Sequence, residues 1–339
     1  MVLEQSHQVA NAEIKVQNRV FTKSRAARFA TTVAMLAMGV ACAGAAQLSS
    51  DARAAIPKDL QQLISVDYRS MQNSSAAMQL KDRVLPPELK KLEAALRTSG
   101  INPGTDVDVL AFAAFHAGDK GDQTKTVGVA QGQFDVKDIL TRFSKQKVKP
   151  QVVRNNNVYP MGASGYDVAF LNQTTMVFGD RDSVMAALSA RDGLTPNLLS
   201  NSAAMDTMNS VDKEPVWSIL DQRGTQVMMN QLLGGASQIT DFDTVKNHLQ
   251  SSRYTMNFTN GVKFDMQVLT GDTVTAATVA ALMQGAAMYK KVSGDPSEVA
   301  ALNDTTIDSN SGTIDVKYSS SDSEFASLLK SNLFQSVVK

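Results

Sequence analysis

Cysteine and histidine are almost missing from this chain of 339 residues, which has one cysteine, Cys42, and three histidines, His7, His116 and His248. A lone cysteine forms no disulfide within the chain. No His-Glu-x-x-His or paired-cysteine spacing supplies the three or four ligands of a zinc site. Gly-x-Gly-x-x-Gly and phosphate-loop patterns are absent as well, so nucleotide cofactors have no support. No Gly-x-Ser-x-Gly marks a hydrolase. Charge of one sign is also lacking, with 33 basic against 33 acidic residues. Such a balance leaves no electrostatic footprint for nucleic acid or an anionic membrane surface. The sequence therefore predicts no catalytic, cofactor-binding or metal residues, and no cofactor.

What is present begins with an export signal. Arg19, Lys23, Arg25 and Arg28 precede an apolar run from Phe29 through Met35, Leu36 and Val40, and Ala43-Gly44-Ala45 follows. That is the charged, apolar, small-residue order of a secretory leader, with cleavage expected after Ala45. An uncleaved anchor and a lipid-modified Cys42 are the alternatives, and Ala52-Arg53-Ala54 is a second small-residue site. Removing residues 1–45 leaves 28 basic and 31 acidic residues, a net charge of −3. The remainder has no cysteine and no second long apolar run. A chain of that length stabilises itself by its core alone.

Strand and helix signals then alternate. Gln62–Arg69 reads as a strand, and Pro86–Ser99 as a helix with Leu89, Leu92 and Leu96 on one face and Glu93 four before Arg97. Val107–Phe115 reads as a central strand. The loop Gly118–Asp122 leads to Thr126–Phe134, and Asp135 caps a helix through Phe143. Val152–Tyr159, Tyr166–Leu171 and Thr175–Phe178 read as strands, and Asp180 or Asp182 starts a helix to Ala190. Arg191–Ser202 reads as a linker. Val216–Leu220 is a strand holding Trp217, and Gln222–Leu233 is a helix ended by Gly234-Gly235.

The hairpin at Arg253–Leu269 has a derivable register. A two-residue Asn260-Gly261 loop would oppose Phe258 to Lys263. A three-residue loop pairs Phe258 with Val262, Met256 with Phe264 and Tyr254 with Met266, so all apolar side chains share one face. A type I turn with Gly261 left-handed in a bulge follows. Thr273–Val292 reads as a helix with Val279, Leu282, Met283, Ala286 and Tyr289 in a stripe. Ser297–Ser311 reads as a polar loop, Thr313–Tyr318 as a strand, and Phe325, Leu328 and Leu329 as a terminal helix.

The fold class expected is α+β: two ferredoxin-like βαββαβ modules in tandem, with antiparallel sheets and helices on one face, after the signal segment. The expected divisions are 1–45 signal, 46–190 first module, 191–202 linker and 203–339 second module. Gly179-Asp180 and Gly271-Asp272 read as vestiges of the repeat.

Weaker candidates have structural readings. Asp135, Asp180 and Asp272 read as caps, Asp67 and Arg69 as a surface pair, and His116 and His248 as structural histidines. Asp308-x-Asn310-x-Gly312 with Asp315 lacks the bidentate glutamate of a calcium loop. Ser327-x-x-Lys330 lies on an amphipathic helix. Met205, Met208, Met228, Met229 and Met283 fill core faces, a binding groove being the alternative.

The Ile56-Pro57 opening, Val66–Arg69 strand, Pro86–Gly100 helix and paired α+β halves together resemble uncharacterised exported bacterial proteins. That resemblance implies export and transfers no functional residue. The expected function is a non-enzymatic envelope or secreted protein acting through protein contact, by pairing a sheet edge. A carrier of an apolar ligand or lipid between helices and sheet is the alternative, and an enzyme ranks third. Membrane contact is expected only through the N-terminal segment.

Overall fold

Alternation along the strands decides the architecture. A computed structural model describes residues 46–118, 121–233 and 242–331. The export signal, part of the Gly118–Asp122 loop and Gly234-Gly235 lie outside the described residues. Twelve strands form one antiparallel sheet in the order β11-β12-β10-β9-β8-β1-β2-β3-β7-β6-β5-β4. Half one contributes β1 (Leu60–Asp67), β2 (Val107–Ala117), β3 (Gln123–Gly132), β4 (Gln151–Val153), β5 (Asn156–Pro160), β6 (Asp167–Phe170) and β7 (Thr175–Gly179). Half two contributes β8 (Val216–Leu220), β9 (Leu249–Asn257), β10 (Val262–Thr270), β11 (Thr305–Asn310) and β12 (Thr313–Ser320).

The two halves meet where β1 pairs β8 antiparallel, Gln62 opposite Leu220, Ile64 opposite Ser218 and Val66 opposite Val216. The strand pairing within each half is not ferredoxin-like. A split βαβ unit separates its first two strands by another strand, whereas β1 lies directly against β2. The helices α2 (Ser75–Val84) and α3 (Pro87–Thr98) run out and back, so the chain re-enters beside the point where β1 ended, Asp67 opposite Val109. Each half then follows one plan. With β4 and β5 of half one left out of the count, the first, second and third strands of each half are neighbours in order, and the fifth lies between the third and the fourth. Half one adds β4 and β5 outside β6. Gly179-Asp180 follows a fifth strand and Gly271-Asp272 a third strand, so these dipeptides are not equivalent positions.

Helices cover both faces of half one, not one face as expected. Ile64, Val66, Phe112, Ala130, Met176 and Phe178 face α2, α3 and α4 (Val136–Lys145). Leu63, Val109, Ala111, Val127, Val129 and Val177 face α1 (Ser50–Ala54), α5 (Arg181–Arg191) and α6 (Ser202–Asn209), with Trp217 from β8. Gly128 lies between Phe112 and Phe178 across the strands. A Cβ there would stand 2.2 Å from the Phe178 ring, and its absence lets the two rings meet edge to face at 5.8 Å.

Beyond β8, which is buried on both faces, half two covers one face only. Tyr254, Met266, Val268, Ile314 and Val316 pack under α7 (Gln222–Leu233) and α8 (Thr273–Ser293). The other face carries Arg253, Thr255, Lys263, Asp265, Gln267, Asp315 and Lys317, none of them buried. The hairpin register is as derived, Met256 opposite Phe264 and Tyr254 opposite Met266. Gly261 has φ +97°, but Asn260 is also left-handed at φ 61°, which excludes a plain type I turn. Asn257 Oδ1 accepts from Thr259 N at 2.9 Å, and asparagine tolerates that region.

Three other expectations change. Val152–Tyr159 is the hairpin β4–β5, turned at Arg154 and Asn155, both at positive φ. Ser297–Ser311 holds α9 (Pro296–Asn303) and β11; Asp295 Oδ1 caps α9 by accepting from Ser297 N and Glu298 N. The 191–202 linker is fastened to the core rather than free. Leu198 is fully buried, and its N–H donates to Ile56 O at 2.8 Å. The terminal helix α10 spans Asp322–Leu328, with Phe325 in the core.

Candidate functional site

The histidines bind helix caps. His116 Nε2 lies 2.8 Å from Asp221 Oδ2, while Asp221 Oδ1 accepts from Gly224 N in the first turn of α7. His248 Nδ1 lies 3.4 Å from Asp272 Oδ2, and Asp272 caps α8 through Thr275 N and Thr275 Oγ1. Neither histidine has a serine at hydrogen-bond distance among the described residues.

Asp135 and Asp180 likewise cap α4 and α5. Asp67 and Arg69 do not pair with each other. Asp67 accepts from Ser70 N at 2.9 Å, and Arg69 pairs with Asp108. Asp308, Asn310 and Gly312 form a hairpin tip with Asp315 opposite Asp308. Among the described residues no group of three metal-ligating side chains forms. Ser327 Oγ donates to Ser323 O within its helix at 2.9 Å.

An apolar cavity of about 70 Å³ lies between α2, α3 and the sheet, lined by Val66, Met71, Leu89, Leu92, Phe112 and Phe178. Carrier pockets start at about 300 Å³, so this void takes no drug-sized guest as it stands. Its wall includes Lys81, only 6 % exposed. Lys81 Nζ donates to Tyr68 Oη at 2.8 Å and lies 3.1 Å from Glu93 Oε2. Burial opposes that charge, but the bond to Tyr68 and the field of Glu93 outweigh it and hold Lys81 above the usual lysine range. For Glu93, burial acts upward, yet hydrogen bonds from Arg97 and Lys81 prevail and keep it below the usual carboxylate range. The sequence shows the Glu93–Arg97 spacing; the buried lysine gives no local signal.

Helix α8 is the other unusual surface. Only its first half packs, through Thr275, Ala276, Val279 and Ala280. Of the expected stripe, Val279 is buried, Leu282, Met283 and Ala286 are half-buried, and Tyr289 is 71 % exposed. Val274, Ala277, Ala281, Gly285, Met288 and Val292 recur at three- and four-residue steps, which places them on one outward row. Val274, Met288 and Val292 are 76 %, 69 % and 89 % exposed. Lys290 and Lys291 flank the far end.

The sheet edges are guarded. The tight β11–β12 turn leaves Thr305, Ile307 and Ser309 with outward backbone groups. Gln284 Nε2 from α8 donates to Ile307 O at 2.7 Å, occupying the middle of that edge. At the other edge β4 is three residues long and follows Pro150. Short length, proline and side-chain cover all discourage strand addition.

The fold is that of an α+β protein built on one large antiparallel sheet. No protein family and no curated protein matches the chain. Among solved structures, crystal form III of TP0453 is similar at TM-score 0.46 and 9% identity, covering 82% of this chain and 96% of that one. Crystal form I of TP0453 gives 0.46 and 11%, covering 86% and 100%. Among the described residues no helix is long and apolar enough to cross a membrane.

Proposed function

We propose that this is an exported, non-enzymatic protein that acts by contact with another protein through the outward row of α8. The observation that carries this reading is the outward row Val274, Ala277, Ala281, Gly285, Met288 and Val292, with its three large apolar members exposed, on a helix whose first half is packed on its other side. Isolated exposed apolar residues are ordinary, but a contiguous row on one helix face is a mark of an interaction site. Ala277, Ala281 and Gly285 in the same row allow close approach. The mode is a helix laid into an apolar groove, rather than the strand addition expected from sequence, because the edges are guarded. Lys290 and Lys291 call for carboxylates at one end of that groove. Export rests on the basic, apolar and small-residue order before Ala46.

The test places a photo-crosslinking side chain at Met288 or at Asp265 on the polar sheet face, in cells of the native host. The expected result is one discrete adduct from position 288, lost when Val292→Lys is added, with an acid-rimmed groove on the identified partner. Equal adducts from both positions, or adducts indifferent to Val292→Lys, would sink the proposal.

A further inference from the structure

A second surface has a different chemistry. An open cleft of about 410 Å³ lies where α4 ends, lined by Leu140, Phe143, Val148, Tyr159, Lys147 and Lys149, with Ser144 and Pro150 completing it. Its floor is apolar. Phe143 is fully buried and stacks at a tilt on Tyr159, ring centres 5.0 Å apart.

The rim is cationic. From Ile139 to Tyr166 the chain has five bases, Arg142, Lys145, Lys147, Lys149 and Arg154, and no acid. Arg142 is engaged by Asp138 at 2.8 Å and Arg154 by Ser189 at 2.8 Å. Among the described residues Lys145, Lys147 and Lys149 have no ion pair or side-chain hydrogen bond, and all three are exposed. In a chain whose charges balance, two unpaired lysines on the lining of an apolar cleft, with Lys145 close by in sequence, are a local excess.

Backbone geometry gives a third observation. Helix α4 closes with Val148 N donating to Phe143 O at 2.9 Å and Lys147 N to Ser144 O at 3.0 Å. That is a Schellman ending, in which the left-handed residue is ordinarily glycine. Here it is Lys147, at φ 59°. A lysine in this region costs backbone strain that glycine would not. At this position it puts an ammonium on the rim of the cleft.

We infer that this cleft binds an acidic segment of a partner protein, which lays a large apolar side chain on Leu140 and Val148, above the buried Phe143–Tyr159 pair, and sets its carboxylates against Lys147 and Lys149. The open mouth suits a peptide side chain. This site is separate from the α8 row and stands or falls without it.

The probe is a short acetylated peptide of glutamates around a central Leu-Trp pair. Its controls are the same peptide with lysines for glutamates, the glutamate peptide with Ser for Leu-Trp, and laurate. Calorimetry and NMR of the purified protein read affinity and location. The acidic Leu-Trp peptide should shift the Leu140 and Val148 methyls, weaken with added salt, and bind at least about tenfold better than either peptide control. Lys147→Glu with Lys149→Glu should reverse the preference toward the lysine peptide, while the far-UV spectrum stays unchanged. Lys147→Gly should weaken binding several-fold while raising Tm, a pairing that a merely structural lysine would not give. The inference is overturned if the acidic peptide leaves the floor unshifted at millimolar concentration, or if charge reversal leaves affinity unchanged. Laurate filling the cleft more tightly than the peptide overturns it too.

Discussion

The two halves share one plan of strands but treat the second face of the sheet in opposite ways. In half one every residue of β1 is buried, because α1, α5 and α6 cover what α2, α3 and α4 do not. In half two β10 alternates Val262, Phe264, Met266 and Val268 inward with Lys263, Asp265 and Gln267 outward. The strand order is thus compatible with one or two helical layers, and side-chain alternation selects between them.

That contrast can be broken first by charge. Val129→Asp puts a carboxylate on the covered second face of half one, where Val129 is fully buried. It should cost about 4 kcal/mol or more in urea unfolding. Asp265→Val, on the corresponding open face of half two, should change stability by no more than about 0.5 kcal/mol. Comparable losses would erase the distinction between the halves.

Next comes the buried pair in half one. Glu93→Ala strands the Lys81 ammonium and should cost about 3 kcal/mol, whereas Lys81→Met with Glu93→Leu should recover most of that. Because Glu93 titrates below its unfolded value, its contribution is present above the unfolded glutamate pKa and disappears as pH falls through the folded one. Stability curves between neutral and acid pH should therefore be flatter for Glu93→Gln than for wild type. Curves of equal slope would remove Glu93 from acid unfolding.

Two glycines sharpen the comparison at smaller scale. Gly128→Ala in half one forces the Phe178 ring aside and should cost about 1–3 kcal/mol. Gly285→Ala, on the open row of α8 with nothing within 4 Å of the added Cβ, should gain about 0.4–1 kcal/mol. Thermal unfolding of both variants decides, and effects of one sign would refute it. Smallest is Lys147→Gly, with a gain of a few tenths of a kcal/mol from relief of the left-handed lysine.

Features written in short-range chemistry were legible. Asp135, Asp180 and Asp272 announced their helices through their capping carboxylates. The Tyr254–Val268 alternation fixed its own register. The Asp295-Pro296 start of α9 was equally available and was obscured by the polar residues after it. Pairing of β1 with β8 was not legible, since roughly 150 intervening residues set it and no local pattern records which edges meet. Nor were the turns at Lys147 and at Arg154-Asn155, where residues without the glycine signature adopt positive φ. Of the two proposed surfaces, the apolar residues of α8 were visible. That they leave the core halfway along could be seen only once the helix was set on the sheet.

The seam between β1 and β8 also has a temporal consequence. During synthesis the first half emerges from the ribosome long before residues 216–220 exist, and β1 meanwhile presents a bare row of amides beside apolar side chains. A nascent chain in that condition is prone to stick to its neighbours. Vectorial folding of the amino-terminal portion therefore cannot finish until the carboxy-terminal portion arrives to close it.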